Sequence, residues 1–106
     1  MATNIPTSRN SGVAHCSTGS FTSDGTACVV TLGFTPRRVQ VYNETDTIAW
    51  AWQEGMAATK AMKVVAAGTM TTDTGSPILA SATNRTMTLS ATLCGTAKVI
   101  TYTAWG

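Results

Sequence analysis

Charged residues are scarce in this chain. Seven Lys/Arg and five Asp/Glu among 106 residues leave 11% of the sequence charged, with a formal net charge of +2, whereas about 25% is ordinary for a globular domain. Only Arg37 and Arg38 are adjacent basic residues, and neighbours on a strand point to opposite faces. We therefore expect no basic patch and no direct nucleic-acid binding. A surface with few charges resists association poorly, so we expect partners to cover much of it.

Residue types that carry chemistry are also few. The single histidine, His15, is expected to face the core from the first strand as a structural residue. The cysteines Cys16, Cys28 and Cys94 are odd in number and have no CxxC spacing, which implies neither a disulfide framework nor a zinc site. We expect them to be buried free thiols.

Carboxylates do not form a convincing site either. Asn43, Glu44 and Asp46 offer a minimal cluster of oxygen ligands, but calcium requires several carboxylates in one loop, and we interpret the cluster as a turn. No nucleophile, base and orienting group are brought together by the pattern. The sequence predicts no enzyme, no metal and no cofactor.

No stretch approaches the roughly 20 apolar residues that a membrane helix requires, so no membrane contact is expected. The segment MATNIPTSRNSG at the amino end has no apolar core and does not read as a signal peptide. We expect synthesis in a reducing cytoplasm.

Threonine, in contrast, makes up about a fifth of the chain, which favours strands. The length fits one domain, and we divide it into a polar, aperiodic arm at residues 1–11 and a single β domain at residues 12–106. Alternation predicts about eight short strands with turn signals every 8–12 residues. This spacing is typical of a small antiparallel β-sandwich or barrel.

Several local features are predicted within that fold. Asp24-Gly25 favours a tight turn, so residues 12–34 are predicted to form a hairpin in which Phe21 lies opposite Cys28. Residues 37–43 and 47–53 are predicted strands joined by a turn at residues 43–46. The threonine-rich stretch at residues 69–75 is assigned no strand, and residues 91–95 are predicted to be a loop or one helical turn.

Trp50 and Trp52 are two residues apart and share a face of their strand. We expect at least one of them in the core and the other in a subunit interface, where tryptophan is enriched. An alternative is a sugar-binding platform formed by Tyr42 with exposed members of the set Trp50, Trp52 and Trp105.

Seven motifs between residues 20 and 106 form a wider pattern: Phe21-Thr22-Ser23-Asp24-Gly25-Thr26, Gly33-Phe34-Thr35-Pro36-Arg37-Arg38-Val39, Tyr42-Asn43-Glu44-Thr45-Asp46, Trp50-Ala51-Trp52, Glu54-Gly55-Met56, Ala66-Ala67-Gly68-Thr69 and Tyr102-Thr103-Ala104-Trp105-Gly106. This pattern resembles small structural proteins encoded in tailed-bacteriophage genomes, which are typically virion components and often capsid decoration (cement) proteins.

The resemblance implies a structural virion protein, and we expect a capsid decoration protein that binds the outer shell and stabilises the head. Its expected partners are the major capsid protein of the phage shell and further copies of itself, with a trimer favoured. The alternative is a tail-associated or fibre carbohydrate-binding module. The expected contact residues are the arm together with Arg37, Arg38, Trp50, Trp52 and Trp105, of which only one of Trp50 and Trp52 is expected to be exposed.

Overall fold

The computed structural model describes residues 15–106, and the predicted arm at residues 1–11 lies outside the described residues. Nine strands and one helical turn make up the described part: β1 (Cys16–Asp24), β2 (Cys28–Thr31), β3 (Arg38–Asn43), β4 (Ile48–Gln53), β5 (Ala61–Val64), β6 (Met70–Asp73), β7 (Ile78–Ser81), β8 (Thr86–Leu89), α1 (Ala91–Cys94) and β9 (Thr96–Trp105). A large sheet has the order β1-β9-β3-β4-β5-β6, and a small sheet has the order β2-β8-β7. The predicted all-β antiparallel sandwich is confirmed.

The core lies between the two sheets and is built from alternate residues of their strands. In β3, Val39 and Val41 are buried while Arg38, Gln40 and Tyr42 are exposed, as the two-residue period of a strand requires. The small sheet contributes Ile78, Met87 and Leu89, which have no exposed surface. Burying a side chain of this size stabilises the fold by about 1.5–3 kcal/mol.

β1 and β2 lie in different sheets, so the predicted hairpin at residues 12–34 is wrong. β1 pairs with β9, where Phe21 lies opposite Ile100. β2 pairs with β8, where Cys28 lies opposite Leu89. Phe21 of β1 and Cys28 and Val30 of β2 nevertheless pack against the core, because the alternation of inward and outward side chains is the same whichever strand is the partner.

The turn after β1 explains this path. Asp24 accepts hydrogen bonds from the backbone N–H of Thr26 at 3.1 Å and from its hydroxyl at 2.6 Å. Gly25 has a φ of 88° and donates its N–H to the carbonyl oxygen of Gly95 at 2.9 Å. Asp side chains that bond the backbone two residues on form such turns, and this one leads the chain from the large sheet to the small one.

β6 is the strand that the sequence did not predict. It lies within the threonine-rich stretch and pairs with β5, placing Asp73 opposite Ala61. Threonines at both 71 and 72 hide the usual alternation of apolar and polar residues. Residues 91–95 do contain one helical turn, α1, capped by Ser90, whose hydroxyl accepts the Leu93 N–H at 3.1 Å.

Candidate interaction surface

The large sheet has one face turned away from the core, which we call the outer face. Its members are the alternate residues of six strands: Cys16, Thr18, Ser20, Thr22, Arg38, Gln40, Tyr42, Ala49, Ala51, Gln53, Met62, Val64, Met70, Thr72, Val99, Thr101, Thr103 and Trp105. Arg38 is the only charged residue among them. Antiparallel sheets that face water on one side usually carry polar residues there. The members on β4, β5 and β6 depart from this rule, because most of them are Ala, Met or Val, and this part of the face indicates a contact surface.

The centre of the outer face is a groove with a volume of about 330 Å³. Ala49 lies between Tyr42 on β3 and Val64 on β5, and Ala51 lies beside Met62. The groove forms because the alanine methyl groups on β4 are shorter than the side chains that flank them. Its lining contains no charged residue.

Four of the six large exposed apolar side chains of the described residues lie on the outer face. The exposed fraction is 64% for Met70, 40% for Tyr42, 40% for Val99 and 39% for Met62. Contiguous exposed apolar surface on a folded domain marks a site of interaction with another molecule. The outer face can therefore bury apolar area against a partner, and it has no charges at its centre to desolvate.

Two predicted contact residues meet at one end of the outer face. Arg38 and Trp105 are cross-strand partners, and the guanidinium of Arg38 lies 5.0 Å from the centroid of the Trp105 ring. This is a cation–π contact. Arg37 precedes β3, and its Nε lies 3.5 Å from Oε2 of Glu54. The interface roles of Arg37, Arg38 and Trp105 stay predictions.

Trp50 and Trp52 both lie on the inward face of β4, with exposed fractions of 4% and 9%. The prediction that one of them is exposed is wrong, because residues two apart share a face and this whole face is turned to the core. The Nζ of Lys63 lies 5.5 Å from the Trp50 ring centroid, and Nε1 of Trp52 is buried without a hydrogen-bond partner. Neither indole offers a free stacking surface to a sugar.

The turn at residues 43–46 is held by its own side chains. Asn43 accepts the Asp46 N–H at 2.9 Å and donates to Oδ2 of Asp46 at 3.1 Å. The ammonium of Lys98 lies 3.1 Å from Oδ1 of Asp46, and Thr45 accepts the Val99 N–H at 2.9 Å. Among the described residues no group of three or more His, Cys, Asp or Glu could hold a metal ion.

The thiols differ in accessibility. All three are free, with Cys94 buried, Cys28 half-buried and Cys16 exposed. Burial raises the pKa of the Cys94 thiol, and electrostatic repulsion from Cys28 raises it by a smaller amount. Burial, followed by repulsion from the Asp24 carboxylate, raises the pKa of Cys28. The expectation of buried thiols is wrong for Cys16, which lies on the outer face.

His15 is exposed, not core-facing as expected. It lies just before β1, where its ring stacks on Phe34 with the centroids 5.4 Å apart. Its carbonyl oxygen accepts the N–H of Gly106 at 2.9 Å. The expectation failed because β1 begins only at Cys16. His15 lies outside the strand, so the alternation of inward and outward side chains does not apply to it.

Tyr42 was expected only as part of the alternative sugar-binding platform, and the sequence assigned no function to the other groove residues Ala49, Ala51, Met62 and Val64. A signal was present, because the alternation placed Ala49 and Ala51 opposite the tryptophan face of their strand. A solvent-facing row of alanine without charge is unusual for an outward sheet surface. This pattern indicates an interaction surface and does not identify its partner.

Comparison with known proteins gives no assignment, since no protein-family model, curated protein or solved structure matches this chain. Within residues 15–106, no helix is long and apolar enough to span a membrane.

Proposed function

We propose that this chain is a structural virion protein without catalytic activity, a capsid decoration protein that binds the outer shell of a tailed bacteriophage. Its partner would be the major capsid protein, its location the virion, and its state on the shell a homo-oligomer. Two things support the proposal: the motif pattern of residues 20–106 and the outer face. The outer face is the observation that carries it.

The size of the outer face fits binding to a repeating surface. Six strands about 4.8 Å apart and about six residues long cover roughly 24 by 20 Å, or about 500 Å². Stable pairwise complexes bury about 800 Å² per partner, so one such face alone binds weakly. On a shell, several contacts made by one oligomer raise the effective concentration and produce stable attachment.

The first experiment locates the protein. Particles are purified from infected cells, heads and tails are separated, and the proteins of each fraction are identified by mass spectrometry. The proposal predicts this chain in the head fraction at many copies per particle. Its absence from particles, or its presence in the tail fraction alone, would contradict the proposal.

The alternative, a tail-associated or fibre carbohydrate-binding module, has weaker support. Stacking on a sugar needs an accessible ring, and Trp50 and Trp52 are buried while Trp105 contacts Arg38. Tyr42 is the one aromatic side chain in the groove that is substantially exposed. Saturable binding of a glycan by the isolated protein, lost in Tyr42→Ala, would favour this alternative.

A further inference from the structure

We infer that two copies of this chain associate through β1, antiparallel and about a two-fold axis, to form one continuous twelve-stranded sheet. β1 is nine residues long and forms one end of the large sheet, where β9 is its partner. No strand in the described part of the chain pairs with its other edge. The backbone N–H and C=O groups along that edge can add a further strand.

The other three edges in the described part are better protected. β2, β6 and β7 have four residues each, and Pro77, which cannot donate a backbone hydrogen bond, stands directly before β7. β6 ends at Asp73, which packs on the inward side of the sheet against Trp50. Short strands, prolines and inward charges are the devices by which proteins prevent edge pairing.

β1 has none of these devices over most of its length. From Cys16 to Ser23 it contains no charged residue and no proline, and its pairing is regular up to Thr22. The only irregularity lies between Thr22 and Asp24. A long, regular and uncharged edge strand is expected to pair with another chain.

A second copy is the occupant that this edge fits best. Because the strand is uncharged up to Ser23, a copy of itself brings no like charges together. Opposed residues of an antiparallel pair share a face, so both copies keep their inward residues on the same side of the joined sheet. A two-fold axis at Gly19 uses the whole regular stretch and places Thr18 of one copy opposite Ser20 of the other. Cross-strand hydroxyl pairs of this kind are favourable.

The residue on the proposed axis is suited to that position. A Cβ at Gly19 would collide with the phenol ring and hydroxyl of Tyr102, which covers this part of β1 from the inward side. Glycine at the axis also leaves no pair of Cβ atoms to be accommodated where the two copies of residue 19 lie opposite each other. The joined sheet doubles the outer face of the monomer, yet the association does not depend on binding to a shell.

A two-fold contact has a definite consequence for stoichiometry. It is isologous and yields a dimer, or an assembly with an even number of chains where another contact is also present. A protein that forms only trimers, which do not pair into hexamers, cannot contain this contact. The mass of the isolated protein in solution therefore separates the two arrangements.

The test uses two double variants of the full-length chain. T18K/S20K places lysine opposite lysine across the proposed axis, whereas T18K/S20E places lysine opposite glutamate. In each copy Thr18 and Ser20 face outward, and their neighbours on β9 are Thr103 and Thr101, so the introduced side chains meet no native charge there. The two introduced residues also share a face within each chain, so the stability of each variant is measured beside its mass. Far-UV circular dichroism checks that both fold.

Sedimentation velocity and native mass spectrometry then give the masses. We expect the wild type at twice its 11.0 kDa chain mass, or an even multiple of that mass. T18K/S20K should dissociate at least tenfold more readily, and T18K/S20E should retain the wild-type mass. A monomeric or solely trimeric wild type would overturn the inference. Equal behaviour of the two folded variants, whether both dissociate or both remain associated, would overturn it as well.

Discussion

Trp50 donates its indole N–H to Oδ2 of Asp73 at 3.0 Å, which links the centre of the large sheet to its last strand. β5 lies between the two strands that carry these residues. Oδ1 of the same carboxylate accepts the backbone N–H of Gly75 at 2.9 Å. One aspartate therefore fixes both β6 and the turn that follows it, next to the groove of the outer face.

Replacing this aspartate tests the linkage. Asp73→Ala leaves the buried indole N–H of Trp50 without an acceptor, and a loss of this kind costs about 1–3 kcal/mol. Asp73→Asn keeps one acceptor oxygen for the indole bond and loses the exposed bond to the Gly75 N–H, so we expect it to cost less than Asp73→Ala. Urea unfolding followed by tryptophan fluorescence measures both. Equal losses in the two variants, or no loss in either, would contradict the assigned role.

The three thiols should react in a fixed order. Cys16 is exposed and should react with a disulfide reagent within the mixing time, while Cys28 should be slower and Cys94 should react only when the protein unfolds. Their order follows from accessibility, and the raised pKa values of Cys28 and Cys94 further lower the thiolate fraction that attacks the reagent. Cys16→Ser should remove the fast phase alone. Fast labelling of Cys94 in the folded protein would contradict its placement.

The same thiols predict a pH dependence of stability. Because the pKa of Cys28 and of Cys94 is raised above the ordinary 9.0, the folded chain holds these protons more tightly than the unfolded chain does. Their contribution is complete below pH 9.0 and is lost as the pH rises through the raised values. The free energy of unfolding should fall above pH 9.0, and this fall should be smaller in Cys94→Ala. An identical fall in the variant would contradict the explanation.

The end of the outer face at Arg38 and Trp105 can be tested separately. Arg38→Ala removes a cation–π contact worth about 0.5–1 kcal/mol at an exposed site, so the fold should lose little stability. If this end contacts a capsid, the variant should bind shells several-fold more weakly. Lys60→Ala, an exposed charge in the turn before β5, is the matched control. Unchanged shell binding by Arg38→Ala would remove Arg38 from the contact set.

Local pattern predicted much of this fold. Alternation in residues 37–43 and 47–53 identified β3, β4 and the turn between them, because a hairpin depends on residues that are close in sequence. The same alternation puts Val39 and Val41 on one face of β3, and both are buried. Strands that pair with the next strand along the chain, such as β3 and β4, could therefore be predicted from the sequence.

The errors have non-local causes. Asp24-Gly25 satisfies the rule for a tight hairpin, yet Gly25 bonds Gly95, about 70 residues along the chain, and β1 pairs with the last strand. The position of Trp52 was equally hard to predict, since a tryptophan in an alternating strand suits a core and an interface alike. The groove could be suspected from Ala49 and Ala51, but its depth depends on Val64 and Met62 of the next strand.

The most direct test of the central claim compares two matched substitutions in a shell-binding assay. Met62→Glu places a charge in the groove of the outer face, and Leu79→Glu places one on the opposite side of the sandwich, with exposed fractions of 39% and 40% for the original side chains. Each folded variant is mixed with purified shells that lack this chain, and the bound fraction is measured after sedimentation. We predict that Met62→Glu reduces binding at least tenfold while Leu79→Glu binds like the wild type. Wild-type binding by Met62→Glu, or no binding by the wild type itself, would contradict the account.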